Sequence, residues 1–147
     1  MKYVLMILTL VTGALMPIQA ILNSKLGRQI GGPLMGSMMS FIVGLIFLLC
    51  FNLAGNYTAV SQLRNTSVSP WWVWMGGLLG AIFVGYITWV NQKQGIALTF
   101  SLVVSGQLLI ALFIDHYGLF GSAVRTITLE KIIGVCLIIG GMLLIKK

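Results

Sequence analysis

Acidic residues are nearly missing from this chain. Asp115 and Glu130 are the only two in 147 residues. With nine Lys and Arg, the charged share reaches only 7%, against roughly 25% in an average soluble domain. So few charges cannot cover a water-soluble globule of this size, and the abundance of apolar residues excludes a disordered tail. Histidine occurs once, as His116, and cysteine twice, as Cys50 and Cys136. Neither cysteine has a CxxC neighbour, so a disulfide framework, a redox pair and a metal site all lack support. Both read as small apolar side chains inside apolar runs. No Ser–His–acid set or metal-ligand cluster can be assembled, so the sequence argues against an enzyme, and no cofactor is expected.

What the chain has is apolar surface: 59% hydrophobic residues and a mean hydropathy of +1.04. That is the composition of an integral membrane protein. A membrane-crossing helix takes about 20 apolar residues, and five apolar segments are found, at about 3–23, 34–54, 70–91, 95–115 and 129–145. A transmembrane barrel would need period-two alternation. These runs are apolar on all faces, so the expected fold is all-α, with five transmembrane helices in a single membrane domain spanning 1–147. This leaves no room for a catalytic or nucleotide-binding domain. Lys2 ahead of an apolar run ending at Ala20 has the outline of a signal peptide, but Pro17-Ile18-Gln19 is a poor cleavage site.

Local signals support the segment ends. Gly32-Pro33 and Ser69-Pro70 put proline at a helix start, where its missing N–H costs nothing. Thr128 can cap the fifth helix, with Glu130 in its first turn. Gly118 and Gly121 break the chain after the fourth. Trp71, Trp72 and Trp74 form an aromatic belt at one interface. The segment 23–32 reads as a loop with glycines, Lys25 and Arg28; it resembles an anion-cradling loop only superficially, since no Walker pattern is present.

Five crossings put the termini on opposite sides. The N-terminal side then holds Lys2, Arg64, Arg125 and Lys131, and the other side Lys25, Arg28, Lys93, Lys146 and Lys147. One fixed orientation normally shows a clear cytoplasmic Lys/Arg excess. The balance here implies that copies insert both ways. The scattered cations read as anchors to membrane lipids, not as a nucleic-acid surface.

Polar residues inside the spans are the informative positions. On the first helix Thr12, Gln19 and Asn23 share a face with Met16, and Gln19 and Asn23 are four apart. This stripe should face another helix or a wet cavity, as inter-helix glue or as a ligand site. Pro17 frees the Gly13 carbonyl and favours a kink beside the stripe. On the fourth helix Ser101, Ser105 and Gln107 are polar, the serines being able to bond back to their own helix. Asp115-His116 closes that helix at its negative dipole end, so Arg125, Lys131, His116 or a cation should offset the carboxylate. Small residues recur at spacing four: Gly36, Ser40 and Gly44 on the second helix, Gly77, Ala81 and Gly85 on the third. Gly134 and Gly141 mark the fifth. Such stripes let helices pack closely, within the chain or against a partner.

Several runs together resemble the YdcZ-like family of small bacterial inner-membrane proteins. They are Pro17-Ile18-Gln19-Ala20 with Asn23, Leu26-Gly27 and Ser40-Phe41; Trp71-Trp72-Val73-Trp74-Met75-Gly76-Gly77-Leu78-Leu79-Gly80; Gly106-Gln107; and Ile114-Asp115-His116-Tyr117-Gly118-Leu119-Phe120-Gly121. The resemblance implies the drug/metabolite transporter superfamily, kinship with small multidrug resistance proteins, and function as antiparallel pairs. Those exporters use a first-helix glutamate to exchange protons for cations. Here that helix has no acid, and Gln19 is the nearest polar residue in kind.

The expectation is therefore a small-molecule transporter working as an antiparallel homodimer, with a site near the midplane. Gln19 and Asn23 of both copies would line it, with Gln107 and Trp72 nearby. A neutral amide stripe favours a polar neutral or zwitterionic solute of unknown identity. The rivals are a structural or accessory membrane subunit, and a lipid-handling protein with a polar lateral groove.

Overall fold

The structure is a computed structural model that describes residues 1–55 and 70–145. Five α-helices are described: α1 (Lys2–Ile30), α2 (Pro33–Gly55), α3 (Met75–Gln94), α4 (Ile96–Tyr117) and α5 (Leu129–Ile145). A 3-10 turn, Trp71–Trp74, leads into α3, and another, Leu119–Gly121, follows α4. No strand occurs among the described residues. Arg64, Ser69, Lys146 and Lys147 lie outside them. By length and composition, α1, α2, α4 and the stretch Trp71–Gln94 can each cross a membrane. At 17 residues, about 26 Å, α5 sits at the short limit for a span.

The first helix does not stop near 23 but runs to Ile30. Nothing in Asn23-Ser24-Lys25 forbids helix, and no true breaker comes before Gly31-Gly32. There φ reaches 109° and 118°, a left-handed turn glycine adopts without strain. Gly32 N–H closes the end by donating to the Gly27 carbonyl at 2.7 Å, the Schellman arrangement. The apparent loop 23–32 is thus mostly helix. Helix α1 also passes through Pro17 without interruption. Pro33 begins α2 as expected, whereas Pro70 precedes the 3-10 turn instead of starting the helix.

The chain divides into two packing units, Met1–Gln92 and Lys93–Lys147. In the first, α1 and α2 form a hairpin that crosses where Gly27 meets Gly36. A Cβ on Gly36 would strike the Asn23 carbonyl oxygen and lie 2.8 Å from Gly27 N. One on Gly27 would lie 2.6 Å from the Gly32 carbonyl oxygen. Glycine at both places is what lets the backbones touch. Gly85 of α3 approaches Leu34, whose Cδ2 would be 3.1 Å from an added Cβ.

In the second unit α4 and α5 form another hairpin. Gly118, at φ 61°, caps α4 by donating to the Ile114 carbonyl. The connection is pinned back by Arg125 N–H on the Asp115 carbonyl (2.7 Å) and by Ile127 N–H on His116 Nδ1 (3.3 Å). The Thr128 carbonyl accepts from Ile132 N–H, which places Thr128 at the start of α5 as expected. Phe120 holds φ 56°, a region that disfavours a bulky side chain.

Candidate functional site

Where α1, α2 and α3 meet, the interior is polar. Asn23, Ser24, Ser37, Thr88 and Asn91 are all buried, Thr88 completely. On α1 the buried positions are Ala20, Asn23, Ser24 and Gly27, spaced i, i+3, i+4, i+7 as one helical face. Small and polar residues on that face bring the helices close and then require hydrogen-bond partners.

Most partners are present. Ser24 Oγ lies 2.8 Å from the Ala20 carbonyl, 3.0 Å from the Thr88 carbonyl and 2.9 Å from Asn91 Oδ1. One hydroxyl proton thus serves three acceptors in turn. Ser37 Oγ lies 3.0 Å from the Pro33 carbonyl and 3.1 Å from Thr88 Oγ1, again one proton with alternative acceptors. These links tie α1 and α2 to α3. Two atoms are left out: the amide nitrogens of Asn23 and Asn91 are enclosed and have no hydrogen-bond partner. Their residues are 4% and 6% exposed. An unpaired buried amide costs about 1–3 kcal/mol, so these two donors are the least satisfied groups in the seam.

The seam includes only one residue of the amide pair singled out in the sequence. Asn23 is in it; Gln19 is exposed on the protomer. Thr12 is exposed too, its hydroxyl bonded back to the Leu8 carbonyl. The seam lies in the later turns of α1 and α3 and the first turns of α2, so it is closer to one end of these helices than a midplane site. Trp72 is about half exposed on the 3-10 turn before α3. Gln107 is exposed on α4. Gly13 has open space around it, and Pro17 is partly buried. Of the small-residue stripes, Gly36 and Gly85 are packed; Gly44, Gly77, Gly134 and Gly141 have open space, Ala81 is exposed and Ser40 is partly buried. Arg125 meets Asp115 through main-chain atoms, and His116 serves as an acceptor for the loop.

Ser24, Ser37, Thr88 and Asn91 were not anticipated as site residues. The signal for Ser24 was the i, i+3, i+4, i+7 face, visible only once α1 is continued past 23. For Thr88 and Asn91 it was their i, i+3 spacing on α3. In the second unit an open groove of about 460 Å³ runs between α4 and α5, lined by residues including Phe100, Val104, Ile138 and Met142. Its polar side chain, Ser101, is bonded to the Ala97 carbonyl. The groove is apolar, unlike the polar lateral groove a lipid-handling protein would show.

The seam is a buried polar cluster in a largely apolar helical chain. A family model described as "Putative inner membrane exporter, YdcZ" matches residues 4–144. The chain belongs to that family. No curated protein and no solved structure matches it. As a YdcZ-family member it is a multi-pass inner-membrane protein, and the family description names an exporter, not an enzyme.

Proposed function

We propose that this YdcZ-family chain exports a small solute as an antiparallel homodimer, with the α1–α3 seam as part of the substrate route. The observation that carries the reading is the pair of buried amide nitrogens without partners, those of Asn23 and Asn91. A polar group whose only purpose is to hold helices together is stable when satisfied. Ser24, Ser37 and Thr88 meet that condition, and glue accounts for them. It does not account for two donors without acceptors. Gln19 is exposed on the protomer one turn before Asn23, which supports a role toward a second copy or a solute.

Alternating access in small transporters comes from inverted repeats. This chain has no internal repeat, so two oppositely inserted copies would supply the inversion. The near-even Lys/Arg count supports that arrangement. The test is efflux from proteoliposomes loaded with a solute panel. Asn23→Leu and Gln19→Leu should each abolish efflux with dimerisation intact. If either variant dissociates the dimer, that residue is inter-helix glue. If both leave efflux unchanged, the seam is not on the route.

A further inference from the structure

Resting on the exporter reading, we infer that the seam recognises an anionic hydrogen-bond acceptor, a carboxylate or phosphate oxygen, on the solute it carries. The groups lacking partners are donors, the amide nitrogens of Asn23 and Asn91. No carboxylate is on hand here to hold a cation, because the first 92 residues contain no Asp or Glu.

The charge around the seam has the matching sign. Lys25 and Lys93, two residues past the buried asparagines, sit on other faces of their helices but at the same helix ends, and Arg28 lies one turn past Ser24. Helices α1 and α3 run the same way across the membrane when α2 returns between them, so these cations gather at one face. Helix dipoles do not reverse the sign. The C-termini of α1 and α3 and the N-terminus of α2 each contribute roughly half an elementary charge, and the net of about −0.5 is outweighed by three cations.

Both amide nitrogens are shut off from solvent, so the solute reaches them only when the helices part. Ser24 is suited to that motion, since its proton has alternative acceptors within α1 and on α3. Turning the Asn91 amide over would hand its N–H to Ser24 and leave Asn23 as the donor for the solute. Asn23 is therefore the position to test.

The experiment uses the full chain in phosphatidylcholine nanodiscs, which carry no anionic lipid. Three probes of matched shape are titrated: benzoate, benzamide and benzylammonium. Benzoate should bind and raise the unfolding temperature, and the other two should not. Asn23→Asp turns the donor into a charged acceptor. It should weaken benzoate about tenfold or more, the scale of one lost charge-assisted hydrogen bond, and admit benzylammonium. Should Asn23→Asp fail to fold, the surface pair Lys25→Gln and Arg28→Gln should still weaken benzoate and flatten its salt dependence.

Binding of benzamide or benzylammonium alone, benzoate binding untouched by these variants, or no binding of any probe would overturn the inference. If phosphatidylglycerol gives the only Asn23-dependent shift, the anion is a lipid headgroup and the solute assignment falls. Asn23-dependent efflux of a cationic or neutral solute would also overturn it but leave the exporter reading standing. Efflux indifferent to Asn23 would overturn the inference and, if Gln19→Leu is equally silent, take the seam off the route.

Discussion

Gly36 has no room for a side chain. An added methyl meets backbone atoms of α1, which cannot swing aside as a flexible side-chain end can. Gly36→Ala should cost about 1–3 kcal/mol from overpacking, despite the gain of roughly 1 kcal/mol in helix propensity. Gly44→Ala, in open space on the same helix, should be neutral or slightly stabilising; thermal unfolding in detergent compares the two. The hydroxyls of the seam rank by what their loss strands. Ser24→Ala removes the donor shared by the Thr88 carbonyl and Asn91 Oδ1 and should cost about 1–3 kcal/mol. Thr88→Val removes one acceptor from Ser37, which keeps the Pro33 carbonyl, so about 1 kcal/mol or less is expected. Equal costs would contradict these assignments. Asn23 stood out in the sequence because an amide in an apolar helix has few ways to hide. Ser24, Ser37 and Thr88 did not, because a hydroxyl can always bond back to its own helix and all three sit in such runs.

Among the elements, α2, α4 and α5 were legible almost to the residue. Gly32-Pro33, Gly118 and Thr128 are strong punctuation, and the runs between them are uniformly apolar. Helix α1 was not. Its last turns carry Asn23, Ser24, Lys25 and Arg28, and polarity along a chain looks like a loop when the contact that buries it lies on another element. Ser24 is hydrogen-bonded across to residues 88 and 91 of α3, which no local window sees. Helix α5 is the element on which topology depends. If it crosses, the basic residues divide four against five. If it does not, Lys146 and Lys147 join Lys2, Arg64, Arg125 and Lys131, and the count becomes six against three. The second count would fix one orientation under the positive-inside rule. Residues 129–145 placed in a membrane-insertion reporter should insert in most copies. Failure to insert would predict a single orientation and remove the basis for a self-paired inverted dimer.

At the scale of the molecule, most large apolar side chains point outward, among them Leu5, Leu45, Phe47, Ile82 and Leu137. What is enclosed between α1, α2 and α3 is largely small or polar. This is the inverse of a soluble core and suits a solvent of acyl chains, where van der Waals packing and hydrogen bonds, not hydrophobic burial, hold helices together. It also leaves ample outward surface for a second copy. The membrane class and family resemblance were readable from composition and motifs. The faces of the proposed dimer were not, because pairing depends on which faces meet and one chain's pattern does not record that.

The most direct test of the antiparallel exporter is the orientation of the C-terminus in cells. Two reporters are fused after Lys147, one active only in the cytoplasm and one only outside it. The account predicts that both give signal in comparable amounts, since copies insert both ways. Signal from one reporter alone would mean a single orientation and contradict the self-paired antiparallel dimer.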